Sequence, residues 1–379
     1  MKKNCRILHI TNDYSGSAVY KNLVTEIDRL GIEQIVYSPM RKTALTGKNK
    51  IDLETENSEI IFSQILSKYS DRIFYRKKIK KILKDVEFKK KLSQFDIIHA
   101  HTWYSDGGVA YELFKKHKVP YIVTIRNTDL NLFFKYMLHL RNYGIDILRN
   151  ASRIIFISPI YKKRFFDNIK IQKYLFDFKN KCEVIPNGID DFWITNVESR
   201  KTAYSNPVGL LYVGRFTSNK NVVRLLNAVE LLNFNEIRFN LKIVGSGGKE
   251  YKKILEQIKT RDYFSYLGAV GDKNELKKIF KSADLFVMPS KSETFGLVYI
   301  EAISQGLPIL FAENEGIDGS YENIGESVNP LRVKDIARGI EELINNYQKY
   351  QFNTKDIVQN HNWFKIAERY KAIYSEIVL

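Results

Sequence analysis

Glu293 and Glu301 stand eight positions apart in the run Pro289-Ser290-Lys291-Ser292-Glu293-Thr294-Phe295-Gly296-Leu297-Val298-Tyr299-Ile300-Glu301-Ala302. Two carboxylates so spaced can reach the hydroxyls of one ligand if a strand-to-helix turn lies between them. The preceding apolar run, Ala283 to Pro289, reads as a buried parallel strand, and a helix starting near Gly296 points its unpaired N–H groups back across the strand end. Such a turn is an anion cradle, to which Phe295, Gly296 and Leu297 bring their amides. Glu293 then lies at its mouth, and at about 100° per residue Glu301 returns near the same helix face.

A diphosphate that leaves as its ester bond breaks gains negative charge, so it needs cations and backbone donors. Arg215 and Lys220 meet that need, just beyond the apolar run Val208 to Val213, at the edge where parallel sheets bind ligands. Arginine bonds as a fork and lysine as a point charge. Gly245 and Gly247, in Val244-Gly245-Ser246-Gly247-Gly248, follow another apolar run; a glycine turn of this kind serves phosphate only in the right surroundings. No Asp-x-Asp occurs in the chain, so cations and helix N-termini are expected to do the work of a metal clamp, and no metal or other cofactor is expected.

The first half offers a second set. Gly16, in Asn12-Asp13-Tyr14-Ser15-Gly16-Ser17, lets backbone N–H approach a phosphate or acceptor, and Ser17 suits a helix cap. His99 and His101 end the run Ile97 to Ala100; alternation is expected to send their imidazoles to opposite faces, which argues against a shared metal. Arg126 and Asp129 close the next run. They are expected either to bind an acceptor's phosphate, carboxylate or hydroxyls, or to pair with each other.

These groups must be held by strands and helices in alternation, the pattern of doubly wound parallel sheets. Strands are expected at 6–10, 34–37, 97–100, 121–125, 153–157 and 182–185, then at 208–213, 238–244, 264–267, 284–288 and 308–311. Helices are expected at 17–30, over much of 58–93, at 108–116 and at 131–150. Two nucleotide-binding-type sheets in series follow. Pro186-Asn187-Gly188 suits a bend with a residue at positive φ and is expected to form the hinge between them.

At 379 residues and 44% hydrophobic, the chain can bury two or three cores. No apolar run approaches a membrane span, and Met1-Lys2-Lys3 leads into a short strand without a signal-peptide pattern, so a cytosolic protein is expected. Cys5 and Cys182 show no metal-ligand spacing. The net charge of +17 is lopsided: residues 1–190 carry 35 Lys and Arg against 20 Asp and Glu, residues 191–379 only 25 against 23. The densest stretch, Arg72 to Lys91, reads as a basic amphipathic helix that either sits on anionic lipid or is a solvated face. No base-reading motif accompanies it, so nucleic acid is not expected as a partner.

Taken in order, Gly16, His101, Pro186-Asn187-Gly188-Ile189-Asp190, Val213-Gly214-Arg215 with Lys220-Asn221, Gly245-Ser246-Gly247, the glutamate pair and a closing Trp363 segment span most of the chain. In this the sequence resembles the retaining glycosyltransferases of family 4. The resemblance implies the GT-B fold, in which two Rossmann-like domains, here 1–187 for the acceptor and 188–360 for the donor, face each other across a cleft. Residues 361–379 would cross back onto the first. It implies that Gly214, Arg215 and Lys220 hold a donor diphosphate, that Glu293 meets the sugar and Glu301 the ribose, that Val270 contacts the base, and that His101 lies beside the sugar. The donor would be a nucleotide sugar, by family precedent a UDP-sugar. With the basic first half, the acceptor would be a lipid-linked glycan of a bacterial surface polysaccharide, met by a cytoplasmic enzyme peripheral to the membrane. Thr294, where the family commonly has glycine, and Arg126, where many members have histidine, depart from the pattern. An epimerase or phosphorylase on the same scaffold, or a non-catalytic glycan- or membrane-binding subunit, are the rival readings.

Overall fold

The computed structural model describes residues 5–41, 46–67, 69–236 and 238–378, except the side chain of Arg72. Met1 to Lys3 lie outside the described residues. The chain divides into two compact units, Met1–Ile157 with Lys162–Gly188 and Trp363–Leu379, and Ser158–Tyr161 with Ile189–Asn362.

The first unit is built on β1 (Arg6–Ile10), β2 (Glu33–Pro39), β3 (Glu59–Ser63), β4 (Ile97–Ala100), β5 (Tyr121–Ile125), β6 (Arg153–Phe156) and β7 (Cys182–Val184). All pairings are parallel, in the order β3-β2-β1-β4-β5-β6-β7. The second is built on β8 (Val208–Val213), β9 (Phe239–Val244), β10 (Phe264–Tyr266), β11 (Leu285–Val287), β12 (Ile309–Ala312) and β13 (Gly325–Val328), again all parallel, in the order β10-β9-β8-β11-β12-β13. Central strands such as β4 and β12 are buried throughout, as continuous apolar runs covered on both faces must be. In each sheet the order reverses once, between β1 and β4 and between β8 and β11. A ligand crevice forms outside the strand ends at such a reversal.

Several expectations need correction. Residues 59–63 form edge strand β3 rather than the start of a helix, because a short apolar run fits either period and here pairs along β2. The helix of this region is Tyr75–Lys89, which buries Tyr75, Ile79, Ile82 and Val86 and turns Arg76, Lys77, Lys80, Lys81 and Lys84 outward. Strand β13 has no apolar run to announce it. Residues 131–150 are not one helix: a π-helical turn Asp129–Phe134 and a short 3-10 turn Leu138–Leu140 precede the helix Arg141–Asn150. The Arg141 guanidinium bonds the carbonyls of Phe134 and Lys135 at 2.7 and 2.8 Å and so satisfies acceptors freed at the break.

Ser17 occupies the cap position of the helix Ala18–Arg29 but makes no side-chain cap bond. Neither Asn187 nor Gly188 has positive φ. Glycine at 188 is explained by packing instead, since a Cβ there would stand 2.5 Å from the Trp363 ring. That ring begins the helix Trp363–Val378, whose Trp363, Ile366, Tyr370, Ile373 and Tyr374 recur at helical spacing and pack against Ile7, Leu23, Ile27 and Ile97. Each such side chain contributes about 2 kcal/mol by leaving water.

Candidate active site

The reversal point of the second unit gathers the loops after β8 and β11. Asn221, at φ 61°, stands just before the helix Val222–Leu232 and donates through Nδ2 to the carbonyls of Pro289 and Pro330 at 3.0 and 2.6 Å. Lys291 N–H bonds the Asn219 carbonyl at 2.8 Å, and Asn219 Nδ2 bonds that of Ser292 at 2.5 Å. The two loops are thereby tied together, and the ties bring Lys220 Nζ onto the carboxylate of Glu293 as an ion pair. Both side chains are only half-buried. Arg215 lies on the same loop as Lys220, with its side chain exposed.

Glu293 is fixed from behind. Its N–H donates to Glu315 Oε2 at 2.9 Å, and that oxygen also accepts from the Tyr161 hydroxyl at 2.7 Å. Its carbonyl accepts from Gly316 N–H at 2.9 Å. The helix Leu297–Ser304 starts at Gly296, whose φ of 82° belongs to the left-handed region; a Cβ there would meet the Tyr299 ring at 2.6 Å and Glu293 Cγ at 3.0 Å. Glycine is therefore required at this position, both for the turn and to let Glu293 fold across the helix start. Phe295 is buried and packs on His361, with ring centroids 5.0 Å apart. The amides of Phe295, Gly296 and Leu297 head the helix, where no intrahelical carbonyl can reach them.

Glu301 lies on the same helix and is half-buried. Desolvation pushes its carboxyl up to about 7, with the Asp190 carboxylate adding to the rise and Lys273 opposing it. Asp190 and Lys273 are themselves paired at 2.6 Å. A carboxylate short of water and of donors is poised to accept from hydroxyls.

The loops after β9 and β10 join the same edge. Gly245 N–H bonds the Gly268 carbonyl at 2.7 Å, Gly214 N–H that of Val244 at 3.0 Å, and Phe216 N–H that of Gly247 at 3.0 Å. A Cβ on Gly245, at φ 142°, would overlap the carbonyl oxygen of Gly214. Val270 follows in the loop after β10 and is half-buried. Gly214, Arg215, Lys220, Gly245, Gly247, Val270, Glu293 and Glu301 thus all lie in the second unit, in the loops that follow β8, β9, β10 and β11 or on the helix after β11.

The reversal point of the first unit is different in kind. His9, His99 and His101 pack together, His99 and His101 with ring centroids 3.9 Å apart, and His9 Nδ1 lies 3.0 Å from His101 Nε2. The two imidazoles expected on opposite faces share one face, because positions i and i+2 of a strand do. Burial lowers the pKa of all three, that of His9 to about 3. His99 Nδ1 meets the Tyr374 hydroxyl at 2.8 Å. His101 stands just past the end of β4, but is only 1% exposed, with Tyr20 against its edge at 5.3 Å.

Asp129 is held within the first unit. Its carboxylate is buried and accepts from the N–H groups of Trp103, Tyr104 and Arg126 at 3.0, 3.1 and 2.9 Å, which makes it a brace between the segments after β4 and β5. Arg126 meets it through its backbone, not its guanidinium; Nε bonds the His101 carbonyl at 2.8 Å, and the head lies 4.8 Å over the Tyr20 ring. At Gly16 a Cβ would overlap the Asp13 carboxylate as it stands, a side-chain contact rather than a backbone one. Asp106, buried with its pKa pushed up to about 6 by desolvation, takes the Asn12 N–H at 3.0 Å beside Lys78, whose pKa burial lowers to about 8.

Sequence reasoning passed over Glu315, Asn219, His9 and Asp106, and met Asp190 only as the end of the Pro186–Asp190 run. Glu315 and Asn219 act through partners far away in the chain, and no local motif marks them. His9 could have been found, as it pairs with His99 in the register of two apolar strands.

Residues 16–191 match the family model described as Glycosyltransferase Family 4, and residues 195–357 the model described as Glycosyl transferases group 1. An uncharacterized glycosyltransferase of Methanocaldococcus jannaschii is 28% identical over 74% of this chain and 76% of its own. A Bacillus subtilis glycosyltransferase named for teichuronic acid biosynthesis is 26% identical over 68% of this chain and 62% of its own. Among solved structures, sucrose-phosphate synthase from Thermosynechococcus elongatus is similar with a TM-score of 0.72 at 20% identity, covering 98% of both chains. Anabaena HepE in complex with UDP and glucose gives 0.64 at 18%, covering 98% of this chain and 100% of its own. With two all-parallel sheets of Rossmann type and two such models spanning nearly all of it, the chain belongs to glycosyltransferase family 4 and has the GT-B fold.

Proposed function

We propose that this protein is a retaining glycosyltransferase that, without a metal ion, moves a hexose or N-acetylhexosamine from a nucleotide diphosphate sugar to a lipid-linked glycan in the synthesis of a bacterial surface polysaccharide. A UDP-sugar is the proposed donor. The observation that carries the reading is the Lys220–Glu293 pair at the β8/β11 reversal, set before the start of a helix. An ammonium has three donors, so Lys220 can hold Glu293 and a phosphate oxygen together. Arg215 and the amides at 295–297 supply the remaining positive potential.

In the proposed reaction the bond between the anomeric carbon and phosphate oxygen breaks, and a bond to the acceptor oxygen forms on the same face. The acceptor's proton passes to the departing phosphate oxygen, which leaves as nucleoside diphosphate. Glu293 steadies the sugar as it becomes oxocarbenium-like, and Arg215 and Lys220 stabilise the leaving group where its charge grows. Glu301 accepts from the ribose hydroxyls, and His101, held neutral, is proposed to lie beside the sugar. The UDP in the Anabaena structure and the pathway named for the Bacillus relative support the donor and the product class.

Thermal unfolding with a panel of nucleotide sugars tests this. A ligand at a hundred times its dissociation constant stabilises by about 2.7 kcal/mol, so one donor should raise the melting temperature of the wild type clearly above the others. With Glu301→Ala the rise should fade. If no nucleotide sugar stabilises the wild type, the transferase reading loses its support.

A further inference from the structure

Two adjoining cavities open on the first unit, where the segments after β5 and β6 lie. One, of about 510 Å³, runs from the π-helical turn Asp129–Phe134 to residues 164–170. The other, of about 370 Å³, shares Phe134, Arg141, Ile169 and Lys170 with it and continues to Lys173 and Tyr174. They form one groove. Its cations are Lys135, Arg141, Arg164, Lys170 and Lys173, and its carboxylate is Asp167, which Lys163 meets at 3.1 Å. Among the described residues Lys135, Arg141, Lys170 and Lys173 have no carboxylate partner.

The groove is apolar as well as basic. Leu130, Phe134 and Ile145 line it, and Ile169, which belongs to both cavities, is 78% exposed. Tyr136, Leu138 and Phe176, neighbours in sequence of lining residues, are also exposed, Phe176 completely. A soluble anion would satisfy the cations and leave this apolar surface in water. A bilayer surface satisfies both at one depth, with lipid phosphates over the cations and aliphatic and aromatic side chains at the boundary with the acyl chains.

We propose that this groove seats the phosphate-bearing headgroup of a membrane lipid and lays the first unit on an anionic bilayer. The inference rests on the lipid-linked acceptor of the proposed function and places that acceptor's membrane-borne end. It differs from docking through the helix Tyr75–Lys89, which is convex and encloses no headgroup, and whose Lys81 already meets Asp71.

The test is flotation of the full chain with phosphatidylcholine vesicles, with and without phosphatidylglycerol. Wild type should float only with the anionic vesicles. Lys135→Glu with Lys170→Glu, two exposed positions, should weaken partition at least about tenfold, since each basic residue at such a surface is worth roughly fivefold. Ile169→Ser should weaken it with both charges intact, whereas Lys77→Glu, Lys80→Glu and Lys84→Glu together should leave most of it. Indifference of the wild type to anionic vesicles overturns the proposal, as does loss in the helix variant with the groove variants floating like wild type. Nucleotide-sugar stabilisation of the same preparations is read separately. Its absence from the wild type strikes the transferase reading, while its persistence in a groove variant that no longer floats locates the defect in lipid binding.

Discussion

The two units share a topology and differ in what they place at its reversal point. Outside β8 and β11 stand half-exposed opposite charges, a helix start and a glycine turn open to backbone approach. At β1 and β4 lie three neutral imidazoles, His9 and His99 within the strands and His101 just past β4, and Asp106 and Asp129 in the segments that follow β4 and β5 are buried carboxylates. The strand order fixes where a crevice forms, and the side chains fix what it can hold. Cations open to solvent suit an anionic ligand, whereas fully buried histidines lose their charge and become a neutral floor. Under the proposed function an anionic donor is therefore expected at the second unit.

The largest effect expected from this contrast falls on turnover. Lys220→Ala removes a cation from the leaving group and strands the Glu293 carboxylate, and a loss of about 10²- to 10³-fold in kcat/KM is expected, the range for removing one preorganised electrostatic group. Thermal unfolding without ligand should change little, since the pair is half-exposed. Steady-state kinetics with the donor found by thermal shift checks this. Wild-type turnover in Lys220→Ala would remove the second unit's distinction.

How much of this could be read from the sequence depended on how locally each feature is encoded. The central strands are continuous apolar runs and could be seen with their ends, as at β1, β4, β5 and β8. Of the edge strands, β7 and β10 could be seen within a residue of their ends, whereas β3, whose short apolar run fits either period, and β13, which has no apolar run, could not. Lys220 and Glu293 were legible because each stands beside a strand end. Their meeting was less so, because it depends on Asn219 and Asn221 reaching across to residues 289–292. Asp129 shows the opposite failing: an acid at a strand end looks functional until the three N–H groups converging on it are seen. For the histidines the error lay in applying strand alternation, which groups i with i+2.

Glycine substitutions sharpen the comparison through stability. Gly245→Ala drives a Cβ into the backbone carbonyl of Gly214, whose N–H is bonded to the Val244 carbonyl, and φ 142° strains any side chain. Several kcal/mol of destabilisation, of order 3, is expected, with loss of donor binding. Gly16→Ala meets only the Asp13 side chain, which can swing aside. Its cost should stay below about 1 kcal/mol. Chemical denaturation of the two variants gives the difference directly, and equal costs would mean that the first unit's turn is as rigid as the second's.

Mild acid should then split the units by sign. A histidine whose folded pKa lies below its unfolded value of about 6.5 gives stability that is complete above that value and lost as the pH falls, because the unfolded state takes up the proton. From about pH 7.5 to 6 each of His9, His99 and His101 removes roughly 0.8 kcal/mol, about 2 kcal/mol together, and the raised carboxyls of Asp106 and Asp129 return less than half of it. Glu301 acts the other way. Its folded pKa of about 7 lies above the unfolded value, so across the same interval the folded state binds the proton first and the second unit gains roughly 1 kcal/mol from it. Hydrogen exchange at the two pH values, corrected for intrinsic rates, should show protection falling in β1 and β4 while it holds or rises in the helix Leu297–Ser304. A common sign in both places would mean that the imidazoles are not held neutral, and the first reversal point would then carry charge like the second.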